Sequence, residues 1–186
     1  MASQNAQINQ PRTVTADTAK TSGLMNYLLL ALLLAAGFIL NFTVGNALAV
    51  TGIKPQFIIA AYALAVILTR ASFGQAVVYG LISAAVIQVT TSIPGLNFLT
   101  EACGALAMCA LCRLDLKVGG LSVTPFVAAL LTTFVSGALF ATIGTVVMGA
   151  ALATAVVKVP IVLGTAVFNA VVVQALYFPL SKVLNK

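Results

Sequence analysis

The sequence predicts an all-α integral membrane protein. It would be a bundle of six transmembrane helices with both termini cytoplasmic. A broken apolar loop between the first two helices would cap an outward-facing pocket. Three observations lead there. First, the 186 residues are 61% hydrophobic and only 6% charged, with a mean hydropathy of +1.13. A soluble domain averages about 25% charged residues. Second, six apolar stretches recur between short polar or Gly/Pro breaks, and a spanning helix needs about 20 residues. Third, threading six alternating spans puts Arg12, Lys20, Arg70, Arg113, Lys117, Lys182 and Lys186 on one face, seven of the nine basic residues. By the positive-inside rule that face is cytoplasmic. The opposite face has only Lys54 in its loops, and Lys158 falls within the sixth span.

Residues 1–24 are polar, rich in Gln, Asn and Thr, and lack an apolar period. They read as a cytoplasmic tail, and residues 25–186 as the six-helix domain. The tail has too few charges beside the apolar run for a signal peptide. The first span covers about Met25 to Asn41 and contains Ala31-Leu-Leu-Leu-Ala35, a small-xxx-small strip that lets another helix approach closely. Packing within this chain would explain that strip equally well. Phe42 to Gln56 is apolar but interrupted by Gly45, Gly52 and Pro55, which predicts a loop over the outer mouth.

The second span is predicted at about Phe57–Thr69 and the third at about Phe73–Thr91, followed by the turn Ser92-Ile-Pro-Gly95. The fourth covers about Leu96–Cys112 and ends at Arg113-Leu-Asp-Leu-Lys117, with Gly119-Gly120 beyond. The fifth covers about Ser122–Met148, and the sixth about Leu152–Leu180, with bends expected at Pro160 and Pro179. Cys103, Cys109 and Cys112 read as small apolar residues, because the single CxxC has no second pair to complete a zinc site.

Only three acids occur: Asp17, Glu101 and Asp115. Glu101 alone sits in an apolar segment with no basic neighbour, so it needs a partner, a proton or a purpose. Glu101 and Lys158 lie at similar depth, roughly 8–10 Å below the outer face at 1.5 Å per residue. They either form a structural ion pair or bind opposite ends of a zwitterion such as an amino acid. Lys158 can also reach outward to the surface. Gln56, Thr90, Thr91, Asn97 and Thr100 add polar groups toward the same side, and Phe57, Tyr62 and Phe98 offer flat apolar walls. Asn169 and Gln174 lie deeper and read as helix-to-helix hydrogen bonders.

Several classes are excluded. The scattered basic residues form no nucleic-acid patch. No GxxxxGK[ST], HExxH or GxSxG occurs, and with no histidine the chain has neither a His-based metal site nor the commonest general base. No catalytic residue, metal ligand or cofactor is predicted.

Gly52-Ile-Lys54-Pro55 before the second span, Thr90-Thr-Ser-Ile-Pro94-Gly95-Leu-Asn97 after the third, and Glu101 soon after form a pattern. With six short spans, it resembles substrate-binding S components of energy-coupling factor (ECF) transporters, within them the tryptophan-transporter group. That group has Asp where this chain has Gln56, and an Asp-Lys where it has Glu101-Ala102. The resemblance implies capture of a scarce solute outside a bacterial or archaeal cell. It also implies docking, through Ala31 and Ala35, on a membrane coupling subunit carrying two cytoplasmic ATPases. In that setting Glu101 would bind a substrate ammonium and Lys54 or Lys158 a carboxylate. Gln56 and Asn97 would add polar contacts, and Phe57 and Phe98 would stack on a ring. A vitamin or vitamin precursor is the alternative substrate. A non-transport scaffold and a stand-alone secondary carrier are the alternatives outside this class.

Overall fold

The computed structural model describes residues 15–50 and 55–184, with side chains from residue 23 onward. Among the described residues it is helices joined by short turns, with one short hairpin. The helices are α1 (Thr15–Leu40), α2 (Asn46–Ala49), α3 (Phe57–Thr69), α4 (Phe73–Ile87), α5 (Leu96–Leu111), α6 (Thr124–Val147), α7 (Ala153–Val157) and α8 (Val159–Leu184). Strands β1 (Lys117–Val118) and β2 (Leu121–Ser122) pair antiparallel across Gly119-Gly120, both at positive φ. Two successive positive φ values suit a tight hairpin turn and favour glycine.

Among the described residues, three helical stretches are long and apolar enough to cross a membrane: Gly23–Ala49, Thr124–Val147 and Val159–Leu184. The helices α3, α4 and α5 are shorter, at 13, 15 and 16 residues. At 1.5 Å per residue they are roughly 20–24 Å long. Helix α3 is the hub. Every residue from Phe57 to Val66 is buried, and it packs on α1, α4, α5, α6 and α8. A helix this apolar on all sides belongs inside a bundle. Around it, α4 packs on α5, α5 on α6, and α6 on α8.

The six larger helices alternate in direction. One end gathers Asn41, Gln56, Thr90, Asn97 and Lys158, and the other gathers Arg70, Arg113, Thr124 and Tyr177. The basic end is built by local capping. Ser72 and Gln75 form a reciprocal capping box at the start of α4. Gln174 accepts from the Phe126 amide at 2.9 Å and donates to the Ser122 carbonyl at 2.9 Å, tying α8 to the start of α6. Asn169 donates to the Gln56 carbonyl at 3.1 Å and to Thr133 Oγ1 at 3.3 Å, holding the start of α3. Both amides therefore act between helices, as their depth suggests.

Three expectations are corrected. The polar stretch from Thr15 to Leu24 is helical and continuous with the rest of α1, while residues 1–14 of the expected tail lie outside the described residues. No proline interrupts it, and extending an existing helix backward is cheap because nucleation is already done. The first part of the segment expected as a broken loop, Phe42 to Ala49, instead continues the helix, while residues 51–54 lie outside the described residues. Asn41–Gly45 forms a π turn and leads straight into α2. Thr43 Oγ1 donates to the Ile39 carbonyl at 2.8 Å and Asn46 Nδ2 to the Phe42 carbonyl at 2.9 Å, so side chains serve carbonyls that the widened turn loosens. Gly45 costs such a helix only about 1 kcal/mol. The sixth span is also not continuous: α7 ends at Val157 and α8 begins at Val159. Lys158 stands at that junction rather than inside a helix, because Pro160 lacks an amide donor and suits a first helical turn. Pro179, expected as a bend, is carried within α8 without ending it.

Candidate functional site

A cavity of about 470 Å³ opens at the end of the bundle opposite Arg70 and Arg113. It exists because the helices differ in length. Gly37 of α1 lies against the Phe57 carbonyl at the start of α3, where an added Cβ would come within 2.9 Å. From that level α1, its π turn and α2 run on to Ala49, beyond the start of α3. The overhang places Asn41, Phe42 and Asn46 on one wall. The α4–α5 turn, α6 and the start of α8 supply the others.

Glu101 enters from α5. Asn97, Thr100, Glu101, Gly104, Ala105, Met108 and Cys109 are the buried residues of that helix. Their spacing of three and four marks a single inward stripe. Glu101 is 3% exposed and still lines the cavity. Its Oε1 accepts a 3.0 Å hydrogen bond from Ser136 Oγ of α6. Tyr62 and Asn97 lie beside the same carboxyl. Yet Oε2 and the Tyr62 hydroxyl are both buried without a hydrogen-bond partner. Two close approaches build this corner. A Cβ on Gly80 would stand 2.6 Å from the Glu101 carbonyl, and one on Gly104 would stand 2.5 Å from the Tyr62 hydroxyl. The glycines let α4 and Tyr62 come this near.

Lys158 also lines the cavity and donates to Thr145 Oγ1 at 3.2 Å. Among the described residues the single ion pair is Lys117–Asp115, so Glu101 and Lys158 share a cavity without bridging it. The Asn97 carboxamide oxygen accepts from Thr91 Oγ1 at 2.5 Å, and Gln88 accepts from the Gly95 amide at 2.9 Å. These bonds brace the α4–α5 turn at the cavity wall.

The structure thus brings together Glu101, Lys158, Gln56, Asn97, Thr90 and Thr91. Lys54 lies outside the described residues. Phe57 and Phe98 do not line the cavity. Phe57 is buried and meets Phe168 edge-on at 5.6 Å, while Phe98 is 39% exposed, one position round α5 from Asn97. The aromatic walls are Phe42 and Phe140 instead. Sequence reasoning also missed Asn41, Asn46, Thr133 and Ser136. A signal for α6 existed: Thr133, Ser136, Gly137, Phe140 and Ala141 all line the cavity and recur at helical spacing. Ala31 and Ala35 are exposed on α1. Cys109 and Cys112 are free thiols that donate to the carbonyls of Ala71 and Cys109, at 3.3 and 3.4 Å.

Chemically, the cavity presents acceptors and donors to a small polar molecule. Comparison with protein-family models, curated proteins and solved structures returned no match.

Proposed function

We propose that this chain is the substrate-binding membrane subunit of an ECF-type importer, with six spans and cytoplasmic termini. It captures a small zwitterion, tryptophan or a related amino acid, outside a bacterial or archaeal cell. A membrane coupling subunit with two cytoplasmic ATPases drives uptake, and the exposed Ala31 and Ala35 of α1 form the docking strip.

One observation carries the reading: Glu101 and Lys158 line one cavity of about 470 Å³ without an ion pair between them. Two opposite charges held apart suit a ligand that brings its own opposite pair. The volume falls within the range of roughly 300–1,000 Å³ common for small-molecule sites. Phe42 and Phe140 supply the flat apolar surfaces for a ring.

Thermal shift and native mass spectrometry on the purified chain, with a panel of amino acids and vitamins, test this. Tryptophan or a close relative should stabilise the protein, and Glu101→Gln should weaken that binding about tenfold or more while still inserting into the membrane. Stabilisation by a vitamin alone would keep the transporter class and discard the amino acid. No stabilisation by any panel member would overturn the reading.

A further inference from the structure

At the basic end of the bundle lies a second concavity, of about 550 Å³, lined by Arg70, Cys112, Arg113, Asp115, Thr124 and Tyr177 among others. Its charges are not balanced. Asp115 is engaged by Lys117 Nζ at 2.8 Å. The Arg113 guanidinium lies 4.2 Å over the Phe73 ring and directs one nitrogen at Cys109 Sγ, 3.6 Å away. Those contacts fix its position and leave its charge in place. Among the described residues no carboxylate pairs with Arg70 or Arg113. The groove therefore holds two uncompensated guanidinium groups beside a neutralised Lys–Asp pair.

The backbone at Arg70 is a second, independent observation. Arg70 caps α3 in the left-handed conformation, at φ 49° and ψ 48°, and its amide bonds to the carbonyls of Val66 and Ile67. Among the described residues it is the sole non-glycine at positive φ. Glycine or asparagine would fit that cap with less strain. A non-glycine residue in such a strained backbone conformation points to a use for its side chain. The carbonyl ends of α3 and α5 meet here and favour cations.

In a membrane-spanning bundle, helix ends lie at the level of the lipid headgroups, and basic pockets between helices at the cytoplasmic side suit anionic headgroups. The planar guanidinium fork matches phosphate oxygens in pairs. We propose that this groove binds the phosphate of an anionic phospholipid headgroup between Arg70 and Arg113. The inference rests on the membrane-spanning reading and not on what fills the other cavity.

The test uses the full chain in neutral detergent, with phosphatidylglycerol, phosphatidylcholine and inorganic phosphate as separate probes in native mass spectrometry. One phosphatidylglycerol should be retained about tenfold over phosphatidylcholine. Arg70→Gly, which suits the left-handed cap, should remove that preference without lowering the melting temperature. Arg113→Gln should remove it too, and Lys182→Gln, outside the groove, should leave it intact. Equal retention of the two lipids by the unmodified chain would overturn the proposal. So would a preference surviving in Arg70→Gly, or an equal loss in Lys182→Gln, which would signify diffuse surface charge. Binding of inorganic phosphate with no lipid preference would assign the groove to a free anion instead of a lipid. Lipid retention is read without any amino acid present, so its failure and failure of amino-acid binding are seen separately.

Discussion

Ser136 of α6 donates a 3.0 Å hydrogen bond to one oxygen of Glu101 on α5, and the other oxygen of that carboxylate is buried without a bond. Tyr62 and Asn97 stand beside the same carboxyl. Such an arrangement anchors the acid while leaving acceptor capacity for a ligand. Ser136→Ala removes the anchor. The variant should lose about 1 kcal/mol of stability, since hydrogen bonds between membrane helices average near 0.6 kcal/mol and reach about 1.7. Unfolding in mixed micelles measures it. Unchanged stability would mean that Ser136 does not hold the acid.

Gly104 and Tyr62 make a packing prediction. A Cβ at position 104 would lie 2.5 Å from the Tyr62 hydroxyl and 3.2 Å from Ser136 Cβ. Gly104→Ala should therefore cost about 1–3 kcal/mol, the usual range for overpacking. Removing the hydroxyl with Tyr62→Phe should restore at least half of it in the double variant. Simple additivity of the two substitutions would show that the crowding lies elsewhere.

The two charges of the cavity give a third. Lys158 bonds to Thr145, and no ion pair joins it to Glu101. In the ligand-free protein, Glu101→Gln and Lys158→Gln should be additive in stability within about 0.5 kcal/mol. A coupling above about 1 kcal/mol would mark a structural ion pair and count against a zwitterion site. With a bound amino acid the two should become coupled in affinity.

Much of this was legible in the residues. The second span was expected at Phe57–Thr69, and α3 occupies those positions. The isolated acid singled out Glu101, and matching depth singled out Lys158. Phe57 and Phe98 were less legible, because an aromatic residue near a helix start faces ligand or core according to helix rotation. On α5 the inward stripe runs through Asn97 and Glu101, which turns Phe98 outward. The helical run from Asn41 to Ala49 was hidden for another reason. Glycine and asparagine in that stretch resemble loop punctuation, and only bonds from Thr43 and Asn46 back to Ile39 and Phe42 show how the turn widens.

Composition and charge placement alone determined the class of molecule. So much apolar surface with so few charges suits helices packed in lipid. Which side chains meet was a matter of packing. Ser136 reaches Glu101 because α6 is pressed against α5, and Tyr62 reaches that corner because Gly104 carries no side chain. Contacts between residues 35 positions apart depend on the rotation and depth of each helix in the bundle, which local pattern does not encode.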